Sequence, residues 1–252
     1  MINLDRETIN HRKNPSSRGR SPQSQPEAAA KNATSTIPIV FTSSGDLVEV
    51  GLVASLARPG GNATGFSNIS SDLAPKQLDL LSQLVPHAGT IGLLVNPNNQ
   101  LTERTTRGVE EAARVKSVKL EILKASDEDE IDAAFVSLAQ LQVGALIVGS
   151  DAALDRRREQ IVALASRYAV PAIYGNRAWA AAGGLISYGI DQRPVFREAG
   201  KYAGRILKGE KPADMPIQQP TKFLLVMNLN TAKAFGITVL PSLLAQADEV
   251  IE

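Results

Sequence analysis

The sequence predicts an α/β fold built on parallel strands, and three features carry that prediction. From Thr36 onward, short apolar runs alternate with stretches whose apolar residues recur at helical spacing. The short runs are bounded by Gly, Pro, Asn, Asp or Ser, as buried strands are. Strands separated by helical crossovers are expected to lie parallel, because the crossover carries the chain back to the edge it left.

Taken in order, Ile37–Phe41 reads as a buried strand. Asp46–Ala57 reads as a helix on Val50, Val53, Ala54 and Ala57, closed by a turn at Arg58-Pro-Gly-Gly-Asn62. Ala63–Phe66 is a second strand. Pro75 opens a helix with a stripe of Leu78, Leu81 and Leu84. Thr90–Val95, Val118–Leu123, Ala145–Val148, Val170–Tyr174 and Gly184–Tyr188 are the next strands. Helices are expected between them over Thr102–Val115, then on Ile131, Ala134, Phe135, Leu138 and Leu141, then on Leu154, Ile161, Leu164, Ala165 and Tyr168. Pro194 opens a helix with Val195, Ala199, Tyr202, Ala203 and Ile206 facing inward. Phe223–Met227 is the last strand, before short helices at Thr231–Phe235 and Pro241–Ala247. Residues 1–27 are rich in Ser, Pro, Arg and Asn and bury too little to offset chain entropy, so a disordered tail is expected there. That segment lacks the apolar core of a secretory signal peptide.

Composition narrows the function. A net charge of +1 and 4% aromatic residues argue against a nucleic-acid surface. With no cysteine, thiolate metal sites and cysteine nucleophiles are excluded. The two histidines, His11 and His87, fall in the tail and at a turn, so neither a histidine metal site nor a histidine base is expected. No Walker-type loop or nucleophile elbow occurs, and Gly60-Gly61 follows a predicted helix rather than a strand. No cofactor is expected.

Ligands of open parallel sheets bind beyond the carboxyl ends of the strands. Here those ends are Thr42-Ser43-Ser44, Asn96-Pro97-Asn98, Ser126-Asp127, Ser150-Asp151, Tyr174-Gly175-Asn176 and Tyr188-Gly189. Their hydrogen-bonding groups are neutral or negative and suit a small polar solute. Ser126-Asp127 and Ser150-Asp151 read equally as helix N-caps, and Tyr174 and Tyr188 as either core edges or ligand platforms.

Thr36-Ile-Pro-Ile-Val-Phe41 and Gly51-Leu-Val-Ala-Ser-Leu-Ala-Arg-Pro-Gly-Gly-Asn-Ala-Thr-Gly65, followed collinearly by Leu93-Leu-Val-Asn-Pro97, Val170-Pro-Ala-Ile-Tyr174, Ala182-Gly-Gly-Leu-Ile-Ser-Tyr-Gly189 and Ala203-Gly-Arg-Ile-Leu-Lys-Gly209, resemble the substrate-binding proteins of the tryptophan/tyrosine type of ABC importers. The resemblance covers about residues 28–252. It implies a type I periplasmic-binding fold, in which two Rossmann-like lobes joined by crossover strands close on a ligand. It implies an N-terminal lobe of residues 28–72 and 189–222 and a C-terminal lobe of residues 73–188 and 223–252. Ser43, Ser44 and Asp46 would line the cleft from the first lobe, and Asn96, Ser150, Asp151, Tyr174 and Tyr188 from the second or the hinge. It further implies a binder rather than an enzyme, a small-molecule solute, a membrane permease as partner and an extracytoplasmic location. Family members carry a signal peptide and further strand–helix units where residues 1–27 stand, so an incomplete first lobe is expected. They also commonly have Pro where Leu47 stands, which is expected to loosen that turn. The effector domain of a transcription regulator, a small α/β enzyme and a non-binding fragment remain alternatives at this point.

Overall fold

The computed structural model describes residues 26–44, 47–48, 51–68 and 73–252. Two sheets organise them. The smaller pairs β1 (Ile39–Ser44) with β2 (Ala63–Asn68) in parallel, Ile39 opposite Ala63. It is flanked by α1 (Pro26–Ala33) and α8 (Gln192–Leu207).

The larger sheet has seven strands in the order β4-β3-β5-β6-β7-β8-β9. These are β3 (Thr90–Val95), β4 (Lys119–Lys124), β5 (Ala145–Val148), β6 (Ala172–Tyr174), β7 (Ile186–Ile190), β8 (Phe223–Asn228) and β9 (Glu249–Ile251). Helices α2 (Ala74–Leu84), α3 (Thr102–Lys116), α4 (Glu128–Gln140), α5 (Ala152–Arg156), α6 (Arg158–Arg167) and α7 (Arg177–Ala181) alternate with the first five strands, and α9 (Leu229–Ala234) and α10 (Pro241–Leu244) follow β8.

The period-2 alternation of strands decides which helix each side chain meets. Ile91, Leu93, Ala145 and Ile147 pack with Leu78, Leu81 and Leu84 of α2 on one face. Leu94, Leu146 and Val148 pack with Ile131, Phe135 and Leu138 of α4 and Ile161 of α6 on the other. Both faces are covered, which is why these strands read as continuous apolar runs. The N-cap reading of the Ser-Asp pairs holds. The Asp127 carboxylate accepts from Glu130 N at 3.0 Å while Glu130 accepts from Ser126 N at 2.7 Å, a reciprocal cap.

Five expectations are corrected. The described part of 46–57 is turn and irregular chain rather than helix. Leu52 N and Val53 N both donate to Leu47 O, and Gly51 has φ +71°, so the segment closes on itself instead of winding on. Leu47 is buried with Phe41, Leu52, Val53 and Ile217, so its side chain anchors this turn. The tail expected over 1–27 gives way to α1 at Pro26, and residues 1–25 lie outside the described set. The single helix from Leu154 is two, parted at Arg157. Finally, β8 runs antiparallel to β7 although a helix separates them. The chain leaves the large sheet after Ile190, passes through α8 over the small sheet, and re-enters at Phe223 beside its exit. An excursion that long does not impose the direction of return.

Ser187 is fully buried on β7, and its hydroxyl has no hydrogen-bond partner among the described residues. Because that desolvation is uncompensated, Ser187→Ala should leave stability unchanged or raise it by up to about 1 kcal/mol in urea denaturation. Amide exchange should be slowest in β3 and β5, which have paired neighbours on both edges and apolar cover on both faces, and faster in β1.

Candidate functional site

Five parallel strands, β3 to β7, end at one edge of the large sheet, so the residues that follow them collect there. Pairing of β3 with β5 brings Asn96 beside Ser150 and Asp151. Asn96 Nδ2 donates to Asp151 Oδ1 at 3.1 Å, and Asn99 Nδ2 donates to Asp151 Oδ2 at 2.9 Å. The same Oδ1 caps α5, accepting from Ala153 N at 2.8 Å and Leu154 N at 3.1 Å. Each Asn is fixed by its own turn: Asn96 Oδ1 accepts from Asn98 N and Asn99 Oδ1 from Leu101 N, both at 2.9 Å. A carboxylate offers about four acceptor positions. Oδ1 of Asp151 is saturated by three donors, whereas Oδ2 retains room for one more. The cavity behind this network, bounded by Thr105 and Gly149, is about 10 Å³ and has room for roughly one water molecule. A ligand therefore meets this group of residues as a shelf rather than entering it.

The next strand ends approach backbone to backbone. A side chain on Gly189 would place Cβ 1.6 Å from Gly175 O, and one on Gly175 would place it 2.5 Å from Ser150 Oγ. The two glycines thus let β6 and β7 close up while leaving the exposed Ser150 hydroxyl in place. Gln77 of α2 is buried and donates from Nε2 to Tyr188 O at 2.8 Å, tying β7 to α2.

Of the residues expected at the cleft, Asn96, Ser150 and Asp151 come together. Tyr174 is 1% exposed and stacks on Trp179 with ring centroids 4.7 Å apart, inside the core on the α4 face. Burial pushes its hydroxyl pKa well above the usual tyrosine range. Tyr188 is half-buried and packs on Phe223 at 6.0 Å. Ser43 is buried in β1 and its hydroxyl bonds to the Glu27 carboxylate of α1. Ser44 ends β1, and Asp46 lies outside the described residues. No hydrogen bond among the described residues joins Ser43 to Asn96, Ser150 or Asp151.

Sequence reasoning missed Asn99, whose signal was its place in an Asn-Pro-Asn-Asn turn before a helix. It also missed Gln77, which nothing in the sequence marks. Asp155 was missed too. It accepts from Trp179 Nε1 at 2.6 Å and Asn176 Nδ2 at 3.2 Å, and burial raises its carboxyl pKa against the opposing pull of those two donors.

A last group sits where the chain crosses between sheets. Asp191 N donates to Lys222 O at 3.1 Å, pairing the outgoing and returning segments. The Asp191 side chain caps α8 through Arg193 N at 3.1 Å and takes Arg193 Nε at 3.0 Å and Nη2 at 3.2 Å. A cavity of about 220 Å³ lies beside it, lined by Phe66, Val195 and Pro220 with Glu198 and Lys222.

Residues 19–251 match the family described as ABC transporter substrate binding protein. The chain belongs to that family. It is 30% identical over 209 residues to a tyrosine-binding protein of Clostridioides difficile (strain R20291), covering 83% of this chain and 60% of that relative's length. In structure it resembles an ABC domain in complex with L-Trp from Streptococcus pneumonia, with a TM-score of 0.78 and 28% identity over 89% of this chain and 77% of the other. A conserved domain protein from Vibrio cholerae gives a TM-score of 0.79 at 26% identity, over 89% of this chain and 75% of that one. The ligand-free, open structure of a substrate-binding protein with adhesive properties from Clostridium difficile gives 0.61 at 26% identity, over 88% and 74%. A LacI-family regulator from Bifidobacterium animalis, at 12% identity and a TM-score of 0.56, shares the fold alone. The α/β fold of the type I periplasmic-binding kind is therefore the fold of this chain.

The Arg193 side chain holds the Asp191 carboxyl below the usual carboxylate range. A depressed native pKa stabilises above the unfolded value and loses its effect as pH falls through the native one. Asp191→Asn, which keeps an N-cap, should lower the thermal midpoint at neutral pH, and the difference from the unmutated protein should shrink below about pH 4 in a pH series of melts.

Proposed function

We propose that this chain is the solute-binding component of an ABC importer and takes an amino acid, aromatic or aliphatic, between the carboxyl edges of its two sheets, with 28–72 and 189–222 as one lobe and the remainder from Leu73 as the other. The observation that carries this reading is the contrast among relatives. At nearly equal identity and coverage, the chain matches the L-Trp complex at 0.78 and the ligand-free, open protein at 0.61. Its two sheets are thus disposed more like those of a liganded binder. That L-Trp and tyrosine are the ligands named for two relatives supports an aromatic amino acid here.

The shelf supplies the chemistry. The free position on Asp151 Oδ2 accepts from the ligand ammonium group, a charge-assisted bond about twice as strong as a neutral one. The exposed Ser150 hydroxyl donates to the carboxylate, and the half-buried Tyr188 offers an apolar face to the side chain. Ser43, Ser44 and Asp46 belong to the opposing lobe in this reading and meet the ligand on closure. Tyr174 acts from the core, supporting the β6 end without touching the ligand. Closure turns about the paired segments at Asp191 and Lys222. The partner is the membrane permease and the location extracytoplasmic, as the family's role requires. No chemical step is assigned.

Isothermal calorimetry with a panel of amino acids, sugars and phosphate esters tests this. An aromatic or aliphatic amino acid should bind at micromolar Kd or tighter, about 8 kcal/mol of binding free energy. Asp151→Ala and Ser150→Ala should each weaken it at least tenfold, with circular dichroism confirming that the fold is retained. Binding of a phosphate ester that survives Asp151→Ala, or no heat from any amino acid, overturns the reading.

A further inference from the structure

Helix α5 carries a carboxylate at each end. Asp151 caps its first turn from the shelf, and Asp155 lies one turn on, with Asp155 N donating to Asp151 O at 2.8 Å. The Asp155 side chain turns to the connection between β6 and α7. There Oδ1 accepts from Trp179 Nε1 at 2.6 Å and from Asn176 Nδ2 at 3.2 Å. Asn176 Oδ1 is taken by Ala178 N at 3.0 Å, which keeps its amide nitrogen toward Asp155.

Both of these donors are neutral. An amide oxygen would satisfy them as well as a carboxylate does, without the cost of carrying charge into a half-buried place. That cost shows in the Asp155 carboxyl itself: burial is the largest influence on it and raises its pKa, and the charge of Asp151 adds to the rise. No lysine or arginine among the described residues pairs with Asp155. Of the three arginines that follow it, Arg157 is held by Glu128 at 2.5 Å, Arg158 by Glu159 at 3.3 Å, and Arg156 is exposed to solvent. Asp151 is bound in turn by two asparagine amides and two backbone amides, all neutral. Two like charges one turn apart are thus held without a counter-ion, an arrangement that a cation arriving at the shelf relieves.

We propose that Asp155 is a specificity-determining residue for the ammonium group of the ligand. Without touching the ligand, its charge deepens the negative potential at Asp151 Oδ2 and favours an amino acid over the same acid without its ammonium group. This deepens the amino-acid reading given above and rests on it: Asp151 supplies the contact and Asp155 the field. The single turn of α5 fixes the separation of the two carboxylates. In a partly solvated site, charges one helical turn apart are coupled strongly enough to change an equilibrium roughly three- to tenfold.

Isothermal calorimetry on the full chain tests this with L-tyrosine and L-leucine, each beside its desamino acid, the acids being measured by competition. Asp155→Asn keeps an acceptor for Trp179 and Asn176 and removes the charge. It should weaken binding of the amino acids roughly three- to tenfold and leave the desamino acids unchanged or tighter. The loss should shrink when KCl is raised from about 0.02 M to about 0.5 M, since screening acts on charge and not on packing. Trp179→Phe removes a hydrogen bond to Asp155 and keeps the charge. Its amino-acid affinity should stay within about twofold of the unmutated protein, with circular dichroism confirming the fold of both variants. A loss shared by the desamino acids and indifferent to salt, or a Trp179→Phe loss as large as that of Asp155→Asn, overturns the inference. Amino-acid binding indifferent to Asp155→Asn overturns this inference alone, whereas no binding of any amino acid to the unmutated protein overturns the function proposed above and this inference with it.

Discussion

The return of the chain from β7 to β8 along one edge is the constraint on which the rest of the molecule depends. Because β8 re-enters antiparallel and beside the point of exit, everything between Asp191 and Lys222 is held as a single excursion on a narrow base. That excursion supplies α8, which covers the small sheet, and Gln218, which extends it. The small sheet is thus built from two stretches of chain distant in sequence. Thr64 Oγ1, buried in β2, donates to Met215 O at 2.8 Å and binds one to the other. The two buried clusters of the large sheet are distinct from the one at this base, where Ile190 and Phe223 pack with Phe66, Val195, Tyr202 and Met215 of the small-sheet side.

Much of this could be read from the residues, and the reasons differ by element. β3 and β5 are buried on both faces, so each is an apolar run with turn residues after it, and both ends are marked. The segment after β1 misled because Val50, Val53, Ala54 and Ala57 keep helical spacing while Gly51 takes a left-handed conformation that no periodicity records. β9 is three residues at a sheet edge, too short to show a pattern. Helix α1 is an alanine-rich turn beside a polar stretch, and it gains its place by packing on β1 rather than by propensity.

The same division runs through the candidate site. Asn96, Ser150 and Asp151 lie together as expected because topology alone collects strand ends on parallel neighbours. Tyr174 could not be placed from sequence. A strand residue points to one face or the other, and a single step of register separates a platform from a core side chain. Asn99 and Gln77 were missed for a further reason. Their roles are fixed by which backbone or side chain lies opposite after folding, and an amide at a turn or on a helix looks the same with or without such a partner.

The stack of Tyr174 on Trp179 gives the molecule an optical voice. Trp179 is the one tryptophan in the chain, it is buried, and its indole N–H is held by Asp155. Its neighbour Asn176 caps the same short helix and also bonds to Asp155, and Gly175 between Tyr174 and Asn176 touches the space occupied by Ser150. Tryptophan fluorescence from this chain therefore originates from a single indole, two short links from the shelf. A change in its colour or intensity reports on the end of β6, on Asp155 and on the core around them, with no label attached.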